Sequence, residues 1–302
     1  MSSILTNSAA LTALQSLRMT QQALTQTQSQ ISTGLKISSA ADNASTWSIA
    51  QTMKSDQSVL STIGDSLSES GSMLNVATTG VNNAITVMNS IKSAVAQAEQ
   101  PGADQTKILT NLQALGKQLS SIVSSASFTG VNLLDNSKAS AAFVASYSDA
   151  GGAAASTVGT IGVTTQALIG SAGGAGGVAA GAGVLDGAKA TGSAAKTDFT
   201  SMVAGDLSAG SIADTLSNAD KAIADLTSYA STLGATQSRV TAQATFIGAL
   251  NDALTTGVSS LVDADMNQAS TRLQALQTQQ QLGVQSISIA NQNSQMILKL
   301  FQ

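Results

Sequence analysis

The sequence offers few side chains that could carry out chemistry. It contains no cysteine and no histidine, which excludes disulfides, thiolate nucleophiles, Cys/His zinc sites and histidine-based triads. Asp263 and Asp265 form a local carboxylate pair, but no other reactive group converges on it, so a solvated or helix-capping role is favoured over catalysis. The glycine-rich stretch 170–184 lacks a following Gly-Lys-Ser/Thr and is not a phosphate-binding loop. We predict that the protein is not an enzyme and holds no cofactor or metal.

The composition also excludes several kinds of partner. The net charge is -4 and no basic stripe is present, which argues against nucleic acid binding. No apolar run reaches the roughly 18 residues of a membrane span, so we expect no membrane insertion. The first residues lack the basic and apolar regions of a secretory signal peptide. Charged residues make up only 10% of the chain, and such helix faces suit burial against other subunits, where isolated charge is costly.

Long heptad patterns run through both halves of the chain, and they indicate helices that pack along their length on other helices. Apolar or small residues recur at alternating steps of three and four from Leu60 to Ala98 and from Leu216 to Leu261. A mean step of 3.5 residues keeps one stripe of a helix facing a neighbouring helix. For both stretches, an intramolecular core and a contact between subunits are compatible readings.

Both chain ends continue the helical rhythm. Residues 1–35 predict an amphipathic helix with two stripes, one through Ala10, Leu17, Leu24 and Ile31, the other through Leu14, Gln21, Gln28 and Leu35. Near Val262 to Met266 the second heptad run slips by one position, a stutter that changes coiling locally. The rhythm then resumes, and the apolar end MILKLFQ requires a covering partner.

The middle of the chain follows another pattern. Pro101-Gly102 ends the first long helix, and a shorter helix follows with Ile108, Leu112, Leu115, Leu119 and Ile122 on one stripe. Residues 138–210 combine β-like segments with low-complexity glycine and alanine. The predicted fold is mostly α, with long antiparallel coiled-coil helices from both termini and a small β-containing outer lobe. We divide it into 1–45 with 257–302, 46–137 with 211–256, and 138–210.

Five segments, in order, resemble bacterial flagellin. They are ILTN from Ile4, STGLKISSAADNA from Ser32, FTGVNLL from Phe128, LGATQSR from Leu233, and ISIANQNSQMILKLF from Ile287. The short middle and Trp47, which we interpret as a packing residue, resemble alphaproteobacterial members. The matched positions are Gly34, Ser39, Ala40, Asp42, Asn43, Phe128, Gly130, Leu133, Leu134, Gln237, Arg239 and Asn291.

The resemblance implies a secreted, extracellular subunit of the flagellar filament that serves swimming motility. It implies export as an unfolded chain through the flagellar type III apparatus, with an export chaperone, and contact with hook-associated and cap proteins. We expect the terminal helices to fold as they pack on other copies of the chain or on paralogous flagellins. The expected interface residues are Leu14, Leu17, Leu24, Ile31, Leu35, Leu273, Leu276, Ile287, Ile297 and Phe301.

Three alternatives stay open at this point. A hook–filament junction protein has similar termini, although the hairpin and carboxy-terminal segments favour flagellin. A different type III-secreted coiled-coil protein should carry a membrane-active apolar segment, which is absent here, and an enzyme is the remote alternative. Finally, the vertebrate flagellin receptor recognises a basic patch on the first long helix, where this sequence has one cation, Lys92. We therefore predict weak binding to that receptor.

Overall fold

The computed structural model is mostly helical, as the heptads predict. It describes residues 7–135, 140–148, 157–170, 183–190, 192–193, 196–208 and 210–300, with backbone alone for 293–300. The elements are α1 (Ser8–Thr33), α2 (Ala44–Ala98), α3 (Gln105–Ser125), β1 (Ser127–Phe128), β2 (Val131–Asn132), β3 (Ser140–Ser148), β4 (Thr157–Thr164), a 3-10 turn (Ala204–Leu207), α4 (Ile212–Val262) and α5 (Met266–Leu300).

Two compact units divide the chain. One comprises the described residues within Met1–Ser58 and Asp252–Gln302, and the other comprises Val59–Asn251. We call them the terminal unit and the central unit. The three-part division made from the sequence stays a prediction, because no independent finding tests its boundaries.

The heptad stripes of α2 and α4 form the core of the central unit. Within α2, every heptad position from Leu60 to Ala98 is buried, including Ser70, whose hydroxyl bonds a carbonyl of its own helix. The helices run antiparallel, since Lys92 pairs with Asp220 at one level and Gly64 approaches Ile247 at another. In α2 the heptad prediction is confirmed as an intramolecular core. In α4 one predicted stripe is buried, through Ala219, Leu226, Leu233, Val240 and Ile247. The second buried stripe of α4 lies one residue before the predicted Leu216, Ile223, Ala230 and Gln237, which are half-buried, and consists of Thr215, Ala222, Tyr229 and Thr236.

The third helix packs with a stripe that differs in part from the predicted one. The buried residues are Leu112, Gly116, Leu119 and Val123. Leu115 and Ile122, which the sequence also placed on this stripe, are half-exposed. Only glycine fits at position 116 in the middle of α3, because the chain near Phe199 crosses the helix there. An added Cβ would lie 2.7 Å from the Phe199 carbonyl oxygen. The predicted end of α2 is confirmed, since the helix stops at Ala98 before Pro101.

Two hairpins supply the β content that the sequence predicted. The tight β1–β2 hairpin turns at Thr129 and Gly130, both with positive φ. Strands β3 and β4 pair antiparallel, with an irregularity between Val144 and Ser146. The longer hairpin packs on α4, where the Gln243 amide donates to the Ala145 carbonyl at 2.9 Å. Most of the glycine-rich stretch 170–184 lies outside the described residues.

Side chains of the central unit hold the segment that returns to α4. The Asn218 amide, fully buried on α4, accepts from the Ala190 N–H at 2.7 Å and donates to the Thr197 hydroxyl at 2.9 Å. The carboxylate of Asp186 accepts from the N–H groups of Gly170 and Gly183. These bonds satisfy buried polar groups that would otherwise be costly.

Candidate assembly interface

The terminal unit is built on an antiparallel pair of helices, α1 and α5. Asn7 caps α1 through its side-chain oxygen, and its amide nitrogen donates to the Ala290 carbonyl at 3.0 Å. About three to four helical turns further along, the Gln280 amide donates to Gln21 at 2.9 Å. The first residues of α1 therefore lie beside the last described side chains of α5.

The α5 side of this pair follows the predicted heptad. Its buried and half-buried positions are Ala269, Leu273, Leu276, Gln280, Gly283, Ile287 and Ala290. Gly283 permits a close approach to α1, since an added Cβ would lie 3.2 Å from Leu17 Cδ1. Alternating steps of three and four thus select the contact stripe, as the sequence indicated.

The α1 side follows only one of its two predicted stripes. Ala10, Leu17, Leu24 and Ile31 do face inward. The second buried stripe, however, consists of Ala13, Thr20, Thr27 and Gly34, one residue before the predicted Leu14, Gln21, Gln28 and Leu35. Small residues at these positions allow the two helices to approach closely, and the larger leucine and glutamine side chains lie outside the seam.

A short backbone contact joins the ends of the pair. The Lys36 N–H donates to the Val262 carbonyl at 2.7 Å, and the Ala264 N–H donates to the Gly34 carbonyl at 2.9 Å. Gly34 ends α1 in the left-handed conformation, with φ of 72°, which glycine adopts without strain. This explains the glycine in the second matched segment, which begins at Ser32.

The turn between α1 and α2 is organised by one carboxylate. Asp42 Oδ2 accepts four hydrogen bonds, from the N–H and hydroxyl groups of Ser38 and Ser39, at 3.0 to 3.1 Å. Bonds from the Ser39 and Ser38 backbone lower the pKa of Asp42 below its usual value of 3.8. Asn43 then accepts from the Thr46 N–H and starts α2.

A helix break stands where the sequence predicted a stutter. Helix α4 ends at Val262 and α5 begins at Met266, so the register change occurs across a short connection and not within a continuous helix. Asp265 accepts from the N–H groups of Asn267 and Gln268, which confirms a capping role, while Asp263 is exposed. Among the described residues, no cluster of acidic side chains could hold a metal ion.

The outer surface of the helix pair exposes large apolar side chains. Leu14 is 38% exposed and Ile289 is 61% exposed, and Leu11, Met19, Leu282 and Val284 are also exposed. Leu24 and Leu276 are buried in the pair, whereas Leu17, Ile31, Leu35, Leu273 and Ile287 are half-buried. The Ile297 side chain and Phe301 lie outside the described residues. The pair therefore buries one apolar stripe and leaves a second set uncovered.

The remaining matched residues lie mostly in the central unit. Phe128 and Gly130 form the β1–β2 hairpin, and Leu133 and Leu134 after it are fully buried. The Tyr229 hydroxyl donates to the Leu133 carbonyl at 2.9 Å, and burial raises the pKa of this tyrosine to about 12. On α4, the matched residue Gln237 is half-buried and Arg239 is exposed. The matched residues Asn291 on α5 and Ser39 and Ala40 in the α1–α2 turn are exposed.

Comparison with known proteins decides the family. The model described as bacterial flagellin N-terminal helical region matches residues 4–139, and the one described as bacterial flagellin C-terminal helical region matches 216–301. The chain belongs to the bacterial flagellin family. It is 40% identical over 321 residues to flagellin C of Rhizobium meliloti and 39% identical over 308 residues to a flagellin of Brucella melitensis, with complete coverage of both chains in each case. It is also 33% identical to flagellin FljM of Caulobacter vibrioides, covering all of this chain and 99% of that one.

Family membership confirms the main functional predictions. This flagellin is a structural subunit of the extracellular flagellar filament, assembling with other flagellin copies, and it is not an enzyme. The junction protein and other secreted coiled-coil proteins are not favoured. Within the described part of the chain, no helix is long and apolar enough to cross a membrane.

Several contacts of the helix pair were not found from the sequence. Asn7 was not recognised as the cap of α1, although an asparagine directly before an amphipathic helix is an ordinary capping signal. Thr27, only 2% exposed, was missed because threonine is polar and does not count as an apolar contact position. Its hydroxyl donates to the Ala23 carbonyl of the same helix. That internal bond makes threonine acceptable at a contact position.

Proposed function

We propose that this flagellin polymerises through the outer surface of the α1–α5 pair, which folds as it packs on neighbouring copies. The uncovered apolar side chains of this pair carry the proposal. Burying a leucine or isoleucine contributes about 1.5–3 kcal/mol, so covering several of them adds to the burial within the pair that opposes the entropy cost of ordering two terminal helices. Of the ten residues named from the sequence, Leu14 lies on this outer surface, together with the exposed Leu11, Met19, Leu282, Val284 and Ile289. Leu24 and Leu276 instead hold α1 and α5 together, because they are buried within the pair.

The charge distribution supports packing in a crowded assembly. Over its whole length α1 carries a single charged residue, Arg18, and α5 carries Arg272 and Lys299. Most remaining outward positions are Gln, Ser, Thr and Asn, which form hydrogen bonds without the desolvation penalty of a charge. A helix pair with this surface is poorly suited to exist alone in water and well suited to a shell of identical pairs.

The test introduces charge at apolar and at polar outward positions of the same helices. The variant L14D/I289D places two carboxylates on the proposed surface, and the control Q22D/Q285D places two carboxylates at exposed glutamines. We expect the first to remain monomeric when seeded with native filaments and the control to polymerise. Sedimentation and negative-stain electron microscopy measure both, and normal filaments from L14D/I289D would refute the proposal.

The proposal also includes further partners that the family suggests. An export chaperone would shield the exposed apolar residues of α5 before assembly, and hook-associated and cap proteins would meet the same helix pair at the filament ends. Copurification of the flagellar chaperone with full-length protein, but not with a variant carrying L282D and I289D, tests the first of these.

We further propose that the vertebrate flagellin receptor binds this chain weakly. The only cation in the stretch from Val87 to Val95 is Lys92, and its ammonium group is paired with Asp220 on α4. A receptor that binds a basic patch would meet little unpaired positive charge on this part of α2. Receptor-reporter activation by purified monomer at the level of a strongly recognised flagellin would contradict this prediction.

A further inference from the structure

The central unit has a groove on its surface that no charged residue lines. The groove lies between α2 and α3 and has a volume of about 800 Å³. Its walls include Val76 and Asn83 from α2, and Ser121 and Ile122 from α3. Ile122, on the apolar stripe that the sequence predicted for α3, is half-exposed and lines this groove.

A protruding aromatic residue lies elsewhere on the same unit. Phe246 on α4 is 58% exposed, in a chain with only five phenylalanines. It lies one turn beyond Gln243, on the same side of the helix, and the Gln243 amide bonds Ala145 of β3. Two residues further along β3, Tyr147 pairs with Val158 of β4, which is 56% exposed. We call the exposed side chain of Phe246 the Phe246 knob.

The groove and the knob lie at different heights along the α2–α4 pair. Gly64 approaches Ile247, so Phe246 is level with the part of α2 near residue 65. The groove is centred near Gly80. Fifteen residues at a rise of 1.5 Å separate the two levels by roughly 22 Å. One copy cannot fill its own groove with its own knob, because both belong to the same compact unit.

We propose that the Phe246 knob of one copy inserts into the α2–α3 groove of the next. The proposal rests on the self-assembly of the chain and names a contact distinct from the terminal helices. A contact between two different patches is head-to-tail, and repetition of such a contact builds an open helical polymer. The groove has no charged residue in its lining, so it accepts an aromatic ring without leaving an ion unpaired. An aromatic side chain inserted into a neighbouring subunit is typical of an interface anchor.

The first experiment compares two adjacent aspartate substitutions. F246D removes the knob, whereas T245D puts the same charge on the neighbouring exposed residue, about 100° around the helix. We expect F246D to raise the critical concentration for polymerisation by roughly tenfold to a hundredfold, and T245D to stay near the wild type. Circular dichroism of the monomers controls for folding, which an exposed site should not disturb. An unchanged critical concentration for F246D would overturn the proposal.

A second measurement keeps the aromatic ring in place. p-Benzoylphenylalanine at position 246 can be photoactivated in filaments and in unpolymerised protein, and the products mapped by mass spectrometry. We expect filament-specific links between copies to fall on groove residues such as Asn83, Ser121 and Ile122. Links between copies that fall elsewhere, or only on a second position 246, would overturn the head-to-tail contact. Polymerisation by L14D/I289D would instead refute the terminal-helix proposal and leave the knob result standing.

Discussion

Replacing Gly116 by alanine should destabilise the central unit, although alanine is the better helix former. The gain in helix propensity is about 1 kcal/mol. This gain is opposed by a steric clash with the segment that crosses α3. The new Cβ would lie 2.7 Å from the Phe199 carbonyl oxygen and 2.8 Å from the Thr200 carbonyl oxygen. These are backbone atoms, which cannot rotate away. Overpacking of this kind costs about 1–3 kcal/mol.

The crossing segment is also held by other contacts that resist its displacement. Phe199 and Met202 are fully buried, and the Gln113 amide donates to the Met202 carbonyl at 3.2 Å. The structure therefore cannot relieve the clash without exposing a large aromatic side chain. After the gain in helix propensity is subtracted from the overpacking cost, we expect a net loss of up to about 2 kcal/mol in the free energy of unfolding for G116A.

Gly234 provides the matched control. It lies within α4, and an added Cβ would meet no atom within 4 Å. G234A should therefore stabilise the protein by about 0.5–1 kcal/mol. Urea unfolding of the monomer, followed by far-UV circular dichroism, measures both variants under the same conditions. If G116A stabilises the protein as much as G234A does, the close backbone crossing is refuted.

Three further predictions concern single polar groups. The bonds to Asp42 are complete above pH 3.8 and are lost as the pH falls through its lowered pKa, so D42N should remove this acid dependence from amide exchange in the α1–α2 turn. The ionisation of Tyr229, followed by its phenolate absorbance, should have its midpoint near pH 12, and Y229F should lower the free energy of unfolding by about 1 kcal/mol. Removal of the Asn218 amide by N218A leaves the Ala190 N–H without its acceptor, costs about 1–3 kcal/mol, and should speed proteolysis near Thr197.

The long-helix core could be predicted because one periodic pattern determines it. From Leu60 to Ala98 the heptad positions are buried without exception, and the same rhythm fits one of the two stripes of α4 and the contact stripe of α5. In such a helix, the sequence alone decides which residues share a face. Regular repetition over many turns leaves one arrangement that buries all of them.

The register of α1 could not be predicted in the same way. Its apolar residues fit two neighbouring stripes almost equally, and Leu14 and Ala13 are separated by only one position. The partner helix decides between them: with Gly283 opposite Leu17, α5 approaches closely enough to favour small residues at the second stripe. Likewise, nothing in the spacing shows that Phe199 crosses Gly116 or that Asn218 bonds Ala190. These contacts join residues far apart in sequence.

Both proposed contacts use apolar residues that the heptads leave outside the core. A monomer with 10% charged residues has few groups that keep its exposed leucines and Phe246 in water. The terminal pair and the central unit each expose apolar side chains that no described part of the chain covers. If each set is covered by a different neighbour, every copy requires at least two contacts of separate kinds. Under this arrangement, L14D/I289D should prevent filament formation, whereas F246D should give filaments only at a higher protein concentration, so the two surfaces can be distinguished in one polymerisation assay.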